Sequence, residues 1–159
     1  MKQRSELVRL LGERGPAAMP YLRQALQSGH PNLMNAGAMG VYTLGAAGAE
    51  ALPDLIKAAG HAHPYARLGA VLAIGRIGPK AQEAIPALRV TLRDRYAHIR
   101  MVSAEALQAI GDPAVLPDLQ AALDRESREL CVQFIQAAIL KLSGTPKRPQ
   151  PSAENFPTL

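Results

Sequence analysis

Apolar positions recur along this chain in two interlocking helical patterns, and both patterns return after about 33 residues. In MPYLRQAL, LPDLIKAA, IPALRVTL and LPDLQAAL the apolar residues stand one before, two after and six after a proline. The sets are Met19, Leu22, Leu26; Leu52, Leu55, Ala59; Ile85, Leu88, Leu92; and Leu116, Leu119, Leu123. That spacing places each set on one face of a helix. Between them lie NLMNAGAMGVYTLG, YARLGAVLAIGRIG, HIRMVSAEALQAIG and LCVQFIQAAILKLSG, whose apolar residues also recur at helical intervals and which all end in glycine. The pattern predicts a longer helix A alternating with a shorter helix B.

The punctuation keeps the same period. Gly12, Gly45, Gly78, Gly111 and Gly144 are 33 residues apart at every step, as are Pro20, Pro53 and Pro86, while Pro117 follows after 31. Pro16, Pro79 and the Asp112–Pro113 pair mark the turn into helix B, and His30–Pro31 and His63–Pro64 the turn into the next helix A, because proline in a first helical turn gives up no hydrogen bond. A lone hairpin cannot bury its apolar stripe, so successive hairpins must stack. The predicted fold is all-α without strands: a right-handed α-solenoid of about four hairpins over residues 1–144, with A helices convex and B helices concave. The first helix A is truncated ahead of Gly12, and the second is loosened by Gly37 and Gly40. A final helix from about Ser127 to Leu142 precedes a proline-rich segment, residues 145–159, expected to be a flexible tail.

Composition narrows the picture. A chain of 159 residues suits one domain, and 48% apolar residues with only 4% aromatic and no Trp call for aliphatic side chains and alanine between closely approaching helices. The formal charge of +5 is scattered among acidic residues, so it identifies no partner by itself. Cys131 has no second cysteine to pair with, and its neighbours Leu130 and Val132 suggest a buried thiol in a reducing, cytoplasmic setting. Arg9 interrupts the apolar run of the opening residues, which do not read as a signal peptide, and no run approaches the roughly 20 apolar residues of a membrane span.

Two segments carry a family resemblance. Ala66, Arg67, Ala70, Ala73, Ile74, Gly75, Ile77, Gly78 and Ile99, Arg100, Ala104, Ala106, Leu107, Ile110, Gly111 resemble helix A of the short HEAT-like repeats of the phycobilisome-lyase type, V-R-x-x-A-A-x-A-L-G-x-I-G. The resemblance runs from about residue 5 to 144 and implies an α-solenoid. It leaves activity open, since such proteins include scaffolds, enzyme subunits and enzymes. The related iron enzyme deoxyhypusine hydroxylase uses His-Glu pairs on helix A, and none of His30, His61, His63 or His98 is followed by Glu.

No catalytic constellation, metal site or cofactor site is expected. His61 and His63 form an isolated H-x-H in a turn. Arg67 and Arg100 sit where such repeats place an arginine that bonds turn carbonyls and carboxylates between hairpins, and Tyr42, Tyr65 and Tyr96 are expected to pack between repeats. The surface left for binding is the helix B face, where Tyr21, Gln24, Asp54, Lys57, Val90, Arg93 and Asp118 form a mixed rather than basic set. That mixture argues against a nucleic-acid groove. Phe134 and Ile135 join the set because the final helix is apolar over more than one face, and a contact with a partner or second copy is favoured over a cap formed by Phe156 and Leu159. The reading is a non-catalytic protein-binding scaffold whose partner is another protein or a second copy of itself. A phycobilin-lyase-like enzyme subunit and a nucleic-acid-binding module stand as the alternatives.

Overall fold

The computed structural model describes residues 15–144. They form eight α-helices: α1 (Met19–Gln27), α2 (Pro31–Leu44), α3 (Leu52–Ala59), α4 (Pro64–Ile77), α5 (Ile85–Thr91), α6 (Ala97–Ile110), α7 (Leu116–Leu123) and α8 (Glu129–Leu142). No strand occurs among the described residues. The even-numbered helices are the predicted A helices and the odd-numbered ones the B helices. The truncated first helix A and the 145–159 segment, with Phe156 and Leu159, lie outside the described residues.

Each B helix is entered through a 3-10 segment: Gly15–Ala18, Gly45–Ala51, Gly78–Ala84 and Pro113–Val115. Pro20, Pro53, Pro86 and Pro117 then stand in the first turn of the α-helix, where the missing N–H has no helical acceptor to lose. The A helices stop for a different reason. Gly45, Gly78 and Gly111 follow α2, α4 and α6 with φ of 57°, 71° and 83°. A side chain strains such backbone, so the 33-residue glycine period marks the reversal after each A helix.

Packing follows from the two stripes. Successive A helices lie against one another from α2 through α8, and each B helix packs on the A helix that follows it. Leu22, Leu55, Leu88 and Leu119, one from each B helix, are fully buried, as are Val41, Ile74 and Leu107 from the A helices. Burying each such leucine stabilises the fold by roughly 1.5–3 kcal/mol. Ala66, Ala70, Ala73, Ala104 and Ala138 are also fully buried and keep the backbones close. Gly37 belongs to this set and does not loosen α2: a Cβ there would lie 2.9 Å from the carbonyl oxygen of Leu22 and 3.0 Å from Ala25 Cβ, so its small size is what seats α2 on α1.

Candidate partner-binding surface

Much of the polar chemistry joins one hairpin to the next. At the turns entering the A helices, Arg67 donates from Nε and Nη2 to the Asp94 carboxylate at 2.6 and 3.0 Å, and from Nη1 to the carbonyls of His61 and Ala62. One hairpin later Arg100 repeats the arrangement, with Glu126 at 2.7 and 2.8 Å and the carbonyls of Asp94 and Arg95. The two arginines therefore have the bridging role expected of them. Their carboxylates are well shielded, the Asp94 and Glu126 side chains being only 7% and 3% exposed.

The electrostatics follow the geometry. The hydrogen bonds from Arg100, joined by the N–H groups of Arg128 and Ser127, outweigh burial and hold the Glu126 carboxyl at about 2. Burial works to raise the Asp94 pKa, but the Arg67 guanidinium and the Tyr96 N–H prevail and lower it. Arg100 moves up through its bond to Glu126. Every one of these shifts deepens the charged state, whereas a proton-transfer group needs a pKa near the working pH.

A second ladder runs along the B helices and was not foreseen. Arg23 Nε meets Asp54 Oδ2 at 2.6 Å, and Arg89 Nε meets Asp118 Oδ2 at 2.7 Å. Each arginine stands three residues after a repeat proline and each aspartate one residue after the next, a spacing visible in the sequence. Between α3 and α5 the same positions hold Ile56 and Ala87, so cation and anion are replaced together. Asp54, which also accepts from Gln27, and Asp118 are thus engaged within the molecule.

The remaining expected contact residues divide by exposure. Tyr21 and Val90 are 46% and 71% exposed, and Gln24, Lys57 and Arg93 are exposed as well. Phe134 is half-buried. Ile135 is corrected: at 1% exposed it lies on the inner face of α8, within the core, and offers nothing to a partner. The tyrosines divide. Tyr42, 37% exposed, lies under Arg76 of the next A helix and so packs against a neighbouring repeat as expected. Tyr65 and Tyr96 are a second correction: they are 58% and 42% exposed and lie against His63 and Arg95 of their own turns. His61 and His63 act as local caps, His61 Nδ1 accepting from the His63 N–H and His63 Nδ1 from the Tyr65 N–H. Among the described residues no three His, Cys, Asp or Glu side chains are grouped to hold a metal ion. Cys131 is buried and donates to the Ala97 carbonyl, and burial raises its thiol pKa.

The outer face of α8 is defined by register. Stepping back 33 residues from Ala137 and Leu140 gives Ala104 and Leu107, and another 33 gives Val71 and Ile74. Those four are fully buried in the core, whereas Leu140 is 59% exposed and Ala137 is exposed too. Leu130, at 58%, extends the stripe, and the half-buried Phe134 lies within it. Gln133 stands where Arg67 and Arg100 would tie a following turn.

A family model for HEAT repeats matches residues 52–139, which spans α3 to most of α8. No curated protein matches the chain.

Proposed function

Because the chain belongs to the HEAT-repeat family, we propose that it is a non-catalytic protein-binding scaffold. Its binding surfaces are the helix B face around Tyr21, Lys57 and Val90 and the outer face of α8. The carrying observation is Leu140, 59% exposed at a position whose repeat equivalents, Ile74 and Leu107, are fully buried. A side chain placed by the repeat to meet another hairpin is complementary to a helix with small residues, and a protein partner or a second copy can supply one. No helix among the described residues is long and apolar enough to cross a membrane, and the lone buried thiol suits a cytoplasmic setting. The non-catalytic part of the reading is supported by the direction of the ionisation shifts, which lock arginines and carboxylates in their charged states.

Site-specific photo-crosslinking in the native host tests this reading. A benzophenone side chain at position 140 or 90 should give a discrete protein adduct, while one at the exposed position 80 should not. A protein that gave no adduct from 140 or 90, or equal adducts from all three sites, would not be a scaffold acting through these faces.

A further inference from the structure

Between the turn that follows α5 and the turn that follows α7 lies an open groove of about 470 Å³. Its volume falls in the range of roughly 300–1,000 Å³ found for ligand sites. Leu92 and Ala122, both almost fully buried, are among its lining residues, and Arg93 and Arg125 are exposed on its walls. The groove also contains two carboxylates, but each is cancelled by its own arginine: Asp94 by Arg67 and Glu126 by Arg100. Arg93 and Arg125 pair with no carboxylate among the described residues and donate none of their side-chain hydrogen bonds there. The uncompensated charge of the groove is therefore theirs.

The fold does not require these two cations. Seven residues after Pro20 and Pro53, where Arg93 stands after Pro86, are Gln27 and Gly60. Eight residues after Pro53 and Pro86, where Arg125 stands after Pro117, are His61 and Asp94. Two arginines facing one groove thus occur at a single junction of the described array. This junction carries both a turn tie, Arg100–Glu126, and a B-helix tie, Arg89–Asp118, so the cations stand on a frame held from two sides.

We infer that this groove is a docking site for an acidic peptide segment, whose carboxylate is held between Arg93 and Arg125 with the flanking chain over Leu92 and Ala122. Guanidinium and carboxylate make charge-assisted, bidentate hydrogen bonds, which suits an arginine pair better than a diffuse basic surface. A peptide is favoured over nucleic acid because the exposed Arg95 and Arg128 that flank the lining residues are interrupted by Asp94, Asp124, Glu126 and Glu129, and phosphate tracking needs a continuous run of cations. The inference deepens the scaffold reading, on which it rests for Arg93 at the end of the helix B face, by adding Arg125 and a partner chemistry, and no groove residue belongs to α8.

The test uses the full chain and a fluorescein-labelled peptide of alternating Glu and Ala, read by anisotropy at low salt. Saturable binding is expected for this probe and not for its Gln-for-Glu counterpart. R93Q/R125Q should weaken it by about tenfold or more with unchanged circular dichroism and melting, whereas R93K/R125K retains part of it and R76Q/K80Q, which removes the same charge from exposed positions elsewhere, changes it little. The inference is overturned if the Glu peptide does not saturate, if the Gln peptide binds equally, or if R76Q/K80Q weakens binding as much. A single-stranded oligonucleotide that binds more tightly through the same two arginines would overturn it in favour of nucleic acid. Crosslinking through position 140 can fail while this result stands, and the reverse, so the two readings are separable.

Discussion

Asp94 receives two side-chain hydrogen bonds from Arg67 while its own main-chain carbonyl accepts from Arg100, so one residue joins two successive arginine ties into a continuous line. Its carboxylate also accepts from the Tyr96 N–H, which fixes the turn into α6. The line ends toward the amino terminus by a paired replacement. One period earlier Arg67 is matched by Met34 and Asp94 by His61, and His61 still accepts from its own turn through Nδ1.

This replacement makes the first prediction. Arg67→Met alone leaves a shielded carboxylate without its cation and should cost about 2–4 kcal/mol in urea unfolding at unchanged m-value. Adding Asp94→His, which recreates the Met34 and His61 combination, should recover more than half of that loss. A double variant as unstable as the single one would mean that the two positions are not coupled.

Acid should act on the same ladder. The folded-state pKa of Glu126 is about 2, below its ordinary value of 4.5, so its contribution is fully present above that ordinary value and disappears as pH falls toward 2. Asp94, also lowered, loses its contribution in the same direction. Urea stability should therefore be flat between neutral pH and about 5 and fall steeply between about 4.5 and 2. Glu126→Gln should flatten part of that fall, and an unchanged slope would show that the Arg100 pair does not carry it.

Truncation at equivalent register positions separates the covered seams from the open one. Leu107→Ala should cost about 2–5 kcal/mol, since it empties a filled seam. Leu140→Ala should stay within about 0.5 kcal/mol for the isolated molecule. Equal losses in thermal unfolding would place another part of the same molecule over α8, and the outer face would not be open to a partner.

Gly37→Ala sets two effects against each other. Alanine favours a helix by up to about 1 kcal/mol over glycine. The added Cβ, however, meets a carbonyl oxygen of α1 at 2.9 Å, and backbone cannot step aside as a side-chain end can. Overpacking of this kind typically costs about 1–3 kcal/mol, so a net loss in calorimetric melting is expected, and a gain would show that α1 and α2 can separate freely.

The repeat architecture was legible because it depends on backbone punctuation: glycine at each positive φ, proline at each B helix start, and apolar residues in fixed phase with both. The arginine bridges were legible because Arg67 and Arg100 share a register. The B-helix ladder escaped because its partners lie on different repeats and one of its three rungs is apolar. Ile135, Tyr65 and Tyr96 were misplaced for a common reason. Period 3.6 locates a stripe, but only the width of the neighbouring seam decides which edge of the stripe is covered and whether a ring fits.

The uneven distribution of ion pairs has a mechanical side. Among the described residues, the ties from α1 to α3 run only along the B-helix side, Arg23 meeting Asp54 and Glu50; from α3 to α5 only at the turn, through Arg67–Asp94; and from α5 to α7 on both sides. Tension applied along such an array passes through its seams in series, so extension should begin at the junctions held on one side while the one held on both stays closed. The described array is graded like a spring wound more tightly at one stretch, and that stiff stretch is where Arg93 and Arg125 stand.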